Sequence, residues 1–406
     1  MKKILTLNNL FLLTVFCLPL YLIRVGFFGF PSNVLELLAA GVIIATVIKN
    51  PPLWKKLFAL PKFLLFSCAL MLVGVLLSIL SNDNQIMGLG ILKGWFLIPL
   101  LFSFFLYTTF HSKFDLERMF WSTYLSSAFV GAVAIIYKFT GITTYDNRLT
   151  AFYLSPNHLA MYLSAGIFFG AYFLLKAFEQ KESSKTYFLH FLLLTVIVAP
   201  LYYTYSYGSW VAVFISFGVI LFSVITSKKK LAMLLLFLLL IAALIFSFQK
   251  NTDKFSTFAN FSERSSLASR QTIWKVSLLL VSENPLVGIG PGNFQSAYLS
   301  KQQNFPPYLE WAVPQPHNVF LAFWLQAGLS GLVGFLFLLY FVFRTLWHVS
   351  KNNKGVTLAT PLLGFFLYFV LHGMIDTPYW KNDLSFLFWI CVFLSLSVFN
   401  FSKEKN

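Results

Sequence analysis

Residues 63–80 read FLLFSCALMLVGVLLSIL, an unbroken apolar run of membrane-spanning length. An α-helix needs about 20 apolar residues to cross the roughly 30 Å of hydrocarbon in a bilayer. The strands of a membrane β-barrel are about half as long. Similar apolar runs recur along the chain, so the sequence predicts an all-α polytopic membrane protein.

The composition of the whole chain supports this fold class. Of the 406 residues, 58% are hydrophobic and 11% are charged, and the mean hydropathy is +0.74, which is too apolar for an ordinary water-soluble domain. The formal net charge is +16, but the lysines fall in short clusters between apolar runs, so we predict no nucleic-acid partner. Cys17, Cys68 and Cys391 all lie within apolar runs, and neither a disulfide framework nor a cysteine metal site is predicted.

The apolar runs between polar breaks predict about twelve transmembrane helices. Their approximate ranges are 9–23, 32–48, 63–80, 86–109, 119–137, 158–175, 187–205, 209–226, 231–248, 328–347, 357–375 and 384–400. The first run resembles a signal peptide in position, but no small-residue cleavage site follows it, so we interpret it as a span.

The distribution of lysine and arginine predicts the orientation of these helices. With the amino terminus inside, the short outer loops hold only Arg24, Lys138, Arg148 and Lys381, while the inner ends collect most other basic residues. Cytoplasmic loops are enriched in lysine and arginine, so both termini are predicted to be cytoplasmic. We divide the chain into helices 1–9 at residues 1–248, an extracytoplasmic loop at 249–316, and helices 10–12 at 317–406.

The outer loop is much longer than the other loops and contains SLASRQTIWKVSLLLVSENPLVGIGPGNF at residues 266–294. Its first part predicts an amphipathic helix at about 269–281, followed by a glycine-rich turn. The apolar positions cover more than a narrow stripe. We therefore expect this helix to lie against the bundle or the membrane surface.

The stretch PHNVFLAFWLQAGLSG, residues 316–331, joins this loop to the tenth predicted span. His317 can serve there as a general base on a sugar hydroxyl, because imidazole titrates near neutrality. Alternatively, His317 and Asn318 only cap a helix, while Gly328 and Gly331 allow close helix packing.

The spacing of His317-Asn318, nine residues, Gly328, two residues, Gly331 resembles the signature of bacterial O-antigen ligases and of the related polymerases and oligosaccharyltransferases. The resemblance covers roughly residues 148–389. It implies a GT-C-like fold and transfer of a glycan from undecaprenyl diphosphate to an acceptor on the outer face. It further implies that the reaction needs no metal and inverts the anomeric centre.

The resemblance also implies arginines at the diphosphate. Arg270 is similar to the family's loop arginine, and Arg148 in NRLTAFYLSPNHLAMYL is similar to an outer-loop arginine that precedes a Pro-Asn helix start. Arg264 is a third candidate. A guanidinium group suits this role because it donates paired hydrogen bonds to phosphate oxygens and stays charged. The alternatives are an interfacial arginine at position 148 and a solvated helix face at position 270.

Two positions depart from the family pattern. Trp274 stands where the family usually has leucine, four residues after Arg270. Tyr207, in Ser206-Tyr207-Gly208, stands where many relatives have arginine. Either Tyr207 contributes a neutral hydrogen bond, or Arg264 or another loop cation replaces the missing charge.

Polar residues also follow the eleventh predicted span. Asp376 can orient His317 or bind a sugar hydroxyl, or it can cap the turn at Pro378. We interpret His158 as a helix-start residue.

Glu36 and Lys93 lie inside apolar runs, where charges are costly and usually paired, so we predict an ion pair between them, with a proton pathway as the alternative.

These features predict a multi-pass glycosyltransferase of the bacterial inner (plasma) membrane with an extracytoplasmic active site. The predicted partners are the undecaprenyl-diphosphate glycan, membrane lipids and a glycan or lipid acceptor, which is lipid A-core if an outer membrane exists. No cofactor is predicted, because no DxD, HExxH or GxxxxGK[ST] motif is present. The alternatives are a polysaccharide polymerase of the same superfamily, a protein O-oligosaccharyltransferase and, from another class, a polysaccharide flippase or exporter.

Overall fold

The computed structural model describes residues 6–403 except 28–29, 50, 226, 251, 253–254, 257–264, 307–310 and 353–354. The fold is mostly helical. Its α-helices are α1 Leu7–Phe16, α2 Val34–Lys49, α3 Lys62–Leu80, α4 Gln85–Ile91, α5 Ile98–Thr109, α6 Lys113–Phe139, α7 Pro156–Gln180, α8 Ser184–Tyr203, α9 Tyr207–Val224, α10 Lys228–Gln249, α11 Ser266–Glu283, α12 Phe294–Lys301, α13 Val319–Asn352, α14 Ala359–Gly373 and α15 Asn382–Lys403. Two short strands, β1 Arg24–Phe27 and β2 Phe30–Asn33, pair antiparallel.

Helices occupy all of the predicted apolar runs. Among the described residues, eight helical segments are long and apolar enough to cross a membrane, with α4 and α5 joined into one segment by a π-helical turn at Leu92–Leu97. The helices α1, α9 and α14 are apolar but shorter. The chain is thus a helical polytopic membrane protein, and the count of twelve crossings stays a prediction.

The structure corrects the first and tenth predicted spans and adds the strand pair, for which the sequence carries no signal. The first span is broken, because α1 ends at Phe16 and a 3₁₀ helix follows at Leu18–Leu22. Pro19 lies at the start of that turn and cannot donate the backbone hydrogen bond that would continue the α-helix. The helix of the tenth predicted span, α13, begins at Val319, which is nine residues before the predicted start at residue 328.

Gly328 breaks α13 with a φ of 67° and a ψ of −177°. A continuous helix would pair the amide of Leu329 with the carbonyl of Leu325. Here Leu329 donates to the carbonyl of Leu286 at 2.9 Å, and Leu325 accepts from Ile289 at 2.6 Å. The glycine-rich turn therefore satisfies the two backbone groups that the break releases. Close helix packing was one alternative for Gly328, and in the structure this residue forms a break in the helix.

Gly331 of α13 lies in close backbone contact with Gly74 of α3. A Cβ atom placed on Gly74 of α3 would collide with the backbone nitrogen of Gly331 and with the carbonyl oxygen of Ala327. Small residues let two helix backbones come this close within a membrane. The contact fixes the helix that follows His317 against the bundle.

Aromatic side chains anchor the segment between α14 and α15, which carries Asp376. Tyr379 and Trp380 are fully buried. The hydroxyl of Tyr379 donates to the carbonyl of Trp95 at 2.7 Å and accepts from the indole of Trp389 at 3.1 Å. These contacts hold the turn before α15 in place.

The predicted Glu36–Lys93 ion pair is confirmed, with a distance of 2.8 Å between Nζ and Oε2. The buried carboxylate of Glu36 also accepts from Ser32 Oγ, Asn33 Nδ2 and Asn382 Nδ2, each at 2.9 Å. A buried charge is tolerated when its hydrogen-bonding capacity is satisfied in this way. The network ties α2 to the start of α15.

Candidate functional site

A cavity of about 560 Å³ lies at one end of the helical bundle. The loops before α7 and α9, the start of α11, His317 before α13 and the end of α14 all contribute to its lining. The polar lining includes Arg148, Asn157, Tyr207, Arg270 and His317. The structure therefore brings together five segments that are far apart in the sequence.

His317 has a φ of 47°, in the left-handed region that few residues other than glycine adopt. Its Nδ1 lies 3.2 Å from Oδ1 of Asp376. Its side chain is 30% exposed, so the imidazole is reachable from the cavity. The backbone carbonyl of His317 accepts a hydrogen bond from the indole nitrogen of Trp274 at 3.2 Å.

Asp376 is the central residue of the polar network. Besides His317, its carboxylate accepts from Asn157 Nδ2 at 2.8 Å and from the backbone amide of Thr377 at 2.9 Å. Arg270 Nη2 lies 3.7 Å from Oδ2. The carboxylate therefore contacts both His317 and the backbone of the turn that follows.

The pKa of Asp376 reflects these neighbours. Burial by itself would raise that pKa, but the interactions with His317, together with the charge of Arg270, outweigh burial and hold the pKa well below its usual range. The carboxylate is therefore ionised at any ordinary working pH. It can stabilise positive charge on the imidazole of His317.

Arg270 lies one turn after the start of α11. Its Nε donates to the carbonyl of Ile375 at 2.8 Å, and its side chain is only 18% exposed, so it does not lie on a solvated helix face. The helix α11 starts at Ser266, because Ser265 Oγ caps it by accepting a hydrogen bond from the amide of Ala268 at 3.1 Å. The helix predicted at about 269–281 is confirmed, with observed bounds of Ser266–Glu283.

Arg148 reaches the cavity from the loop before α7. Its Nε donates to the carbonyl of Thr204 at 2.8 Å, and its Nη2 donates to Oδ1 of Asn157 at 2.8 Å. Burial lowers the pKa of Arg148, while Asp146 opposes this shift. Because the ordinary pKa of arginine lies far above neutrality, the guanidinium remains charged.

Tyr207 lines the cavity, and its hydroxyl lies 3.3 Å from Oε1 of Gln249, to which it donates. The hydroxyl thus makes a neutral hydrogen bond within the protein. Arg264, the third arginine candidate, lies outside the described residues.

Asn318, Gly328 and Gly331 shape the backbone near the cavity without lining it. The side chain of Asn318 accepts from the amides of Phe320 and Leu321, each at 3.0 Å, and caps α13. Gly328 and Gly331 are absent from the cavity lining. Their contacts fasten α13 to the glycine-rich turn and to α3.

Sequence reasoning missed the role of Asn157, which bridges Arg148 and Asp376. Its only signal was the Pro-Asn pair at the start of α7. His158 was interpreted as a helix-start residue. It does lie in the first turn of α7, but its buried Nε2 also lies 3.0 Å from Oδ1 of Asp383.

Residues 189–336 match the family model described as O-antigen ligase. The matched segment runs from α8 into α13 and crosses the predicted boundaries at residues 248 and 316. It contains Arg270 and His317, whereas Arg148 and Asp376 lie outside it. It falls within residues 148–389, over which the sequence resembles this family.

Curated relatives agree with this match. The chain is 26% identical over 282 residues to the ComP-specific O-oligosaccharyltransferase of Acinetobacter baylyi, covering 65% of this chain and 48% of that protein. It is 26% identical over 186 residues to the O-antigen ligase of Salmonella typhimurium, covering 40% of this chain and 43% of that protein. The chain thus spans about half the length of these two relatives. An uncharacterized protein of Haemophilus influenzae is 24% identical over 380 residues, covering 88% of this chain and 89% of that protein.

Proposed function

This chain carries a domain of the O-antigen ligase superfamily, and from that premise we propose that it is a membrane glycosyltransferase. It moves a glycan from undecaprenyl diphosphate to an acceptor hydroxyl, without a metal and with inversion of the anomeric centre. One observation carries the proposal. A histidine paired with an ionised carboxylate shares a single cavity with two arginines.

His317 is the proposed general base. When Nδ1–H donates to Asp376, the other ring nitrogen, Nε2, has the lone pair that accepts a proton. Nε2 takes the proton of the acceptor hydroxyl as its oxygen forms a bond to the anomeric carbon. The bond from that carbon to the phosphate oxygen breaks, and the lipid diphosphate leaves with the electron pair.

Arg270 and Arg148 are the proposed diphosphate ligands. Each guanidinium has five N–H donors, and the protein bonds described above engage only part of this set. Negative charge develops on the leaving diphosphate in the transition state. Fixed cationic donors in a partly dehydrated cavity stabilise that charge more strongly than water does.

The apolar end of the cavity suits the polyprenyl chain of the donor. Val211 and Ile215 of α9 line it together with Leu371 of α14. Val211 and Ile215 are both exposed side chains on a helix of membrane-like composition. A donor can therefore enter sideways from the bilayer and place its diphosphate beside the arginines.

We further propose that the protein resides in the bacterial inner (plasma) membrane, with cytoplasmic termini and an extracytoplasmic cavity. The positive-inside distribution of lysine and arginine supports this orientation. The acceptor is a glycan or a lipid, with lipid A-core as the choice if the cell has an outer membrane.

The test is transfer of labelled glycan from undecaprenyl diphosphate in metal-free membranes of a deletion strain of the host organism. We expect His317→Ala and Arg270→Ala to abolish transfer while still inserting into the membrane. His348→Ala changes an exposed histidine of α13, the helix that follows His317, and is the matched control that should transfer normally. Normal transfer by His317→Ala would rule out the proposed mechanism.

The products separate the remaining candidates. A ligase modifies its acceptor once, whereas a polymerase produces a ladder of lengths on the lipid carrier. Glycosylated protein would favour an O-oligosaccharyltransferase, the name carried by the relative from Acinetobacter baylyi. A flippase or exporter would move the labelled lipid without breaking its bond to the glycan.

A further inference from the structure

Trp274 lies one helical turn after Arg270 on the same face of α11. Arg270 contacts the segment of Asp376 through the carbonyl of Ile375, at 2.8 Å. Trp274 contacts the other partner of the pair, because its indole Nε1 donates to the carbonyl of His317 at 3.2 Å. One face of one helix therefore holds both sides of the contact between His317 and Asp376.

The conformation of His317 requires such support. A non-glycine residue at a φ of 47° is strained, and it persists only where its surroundings hold it. Asn318 fixes the chain on one side of this residue by capping α13. The indole donor fixes the direction of the carbonyl of His317 itself.

The indole is held by packing as well as by its hydrogen bond. Trp274 packs against a small core that includes Ile273 and Val276 of α11, Phe294 and Tyr298 of α12, and Leu325 of α13. A leucine at this position could share the packing, but it has no hydrogen-bond donor. The contact to the carbonyl is thus specific to tryptophan.

We propose that Trp274 is a positioning residue, which holds the backbone of His317 so that its imidazole faces both Asp376 and the cavity. This inference rests on the proposed function of His317. It extends that function to a residue that touches neither donor nor acceptor. Its loss should slow the chemical step and leave donor binding unchanged.

The matched comparison is Trp274→Phe with Trp324→Phe. Trp324 also donates its indole hydrogen to a backbone carbonyl, that of Pro285 at 2.8 Å, but this bond holds the glycine-rich turn. With labelled undecaprenyl-diphosphate glycan as the probe, we expect Trp274→Phe to lower kcat roughly tenfold, with the donor KM within about twofold of wild type. Trp324→Phe should leave kcat within about twofold.

Unchanged kcat in Trp274→Phe, or an equal fall in kcat in Trp324→Phe, would overturn the inference. If Trp274→Phe fails to fold, 3-benzothienylalanine at position 274 keeps the ring shape without the donor and must show the same fall in kcat. Loss of transfer by His317→Ala beside normal kcat in Trp274→Phe would refute this inference alone. Transfer by His317→Ala would refute the proposed function and the inference with it.

Discussion

Asn157 donates to Oδ2 of Asp376 at 2.8 Å, although 219 residues separate them in the sequence. The other end of the same carboxamide accepts from Arg148 at 2.8 Å. Asn157 thus links a proposed diphosphate ligand to the carboxylate that pairs with His317. One amide places the two parts of the proposed reaction at a fixed separation.

We predict that Asn157→Ala lowers glycan transfer about tenfold, because Arg148 and Asp376 both lose a hydrogen-bond partner. Asn157→Asp should be worse, since it places a second carboxylate beside Asp376. Initial rates with labelled donor give the comparison. Asn8→Ala removes a similar amide-to-carboxylate bond, from Asn8 to Asp115, away from the cavity, and should keep the wild-type rate. Normal transfer by Asn157→Asp would contradict the bridging role.

The lowered pKa of Asp376 predicts how stability depends on pH. This pKa is lower in the folded than in the unfolded protein. The ionised carboxylate therefore stabilises the fold at pH values above 3.8, which is the ordinary pKa of an aspartate. This contribution is lost as the pH falls below that value toward the folded pKa. Asp376→Asn should therefore unfold at a lower temperature than wild type between pH 5 and 8.

Below about pH 4 the gap in unfolding temperature between Asp376→Asn and wild type should narrow. At neutral pH the cost should be roughly 3 kcal/mol, which is typical of removing one partner from a buried ion pair. Thermal unfolding of the purified protein in detergent measures both effects. A gap that widens as the pH falls would show that Asp376 is protonated in the folded state.

Gly328 provides a test of the helix break. An alanine there would be strained at a φ of 67°, and its Cβ would lie 2.5 Å from the carbonyl oxygen of Leu286. We expect Gly328→Ala to cost about 2 kcal/mol or more in the free energy of unfolding. Gly41→Ala is the control, because a Cβ on Gly41 of α2 meets nothing within 4 Å and alanine favours a helix. The denaturation midpoints of the two variants should shift in opposite directions from that of the wild type.

Local physics predicted the helices and one buried ion pair. A run of about 20 apolar residues has few alternatives to a membrane helix, so all of the predicted runs are helical. The cost of an unpaired charge in lipid predicted the contact of Glu36 with Lys93, which the structure confirms. The alternation of inner and outer loops placed Arg148, Arg270 and His317 at one level, and they share one cavity.

Contacts between residues far apart in the chain could not be predicted from the sequence. Apart from the Pro-Asn pair, nothing local distinguishes Asn157 from an ordinary residue of a first helical turn, because its two partners come from other segments. A glycine within an apolar run is compatible both with helix packing and with a break. Only the turn that pairs with Leu325 and Leu329 shows that Gly328 forms a break.

The two arginines allow a test of geometry separately from charge. Arg270→Lys and Arg148→Lys keep one positive charge but lose the planar fork that binds two phosphate oxygens at once. We expect each to lower kcat/KM for undecaprenyl-diphosphate glycan about tenfold to a hundredfold, and to weaken inhibition by free undecaprenyl diphosphate. Arg118→Lys is the matched control, since Arg118 donates to Asn9 on another part of the bundle. If both cavity variants kept wild-type kcat/KM, a point charge would suffice and paired recognition of the diphosphate would be wrong.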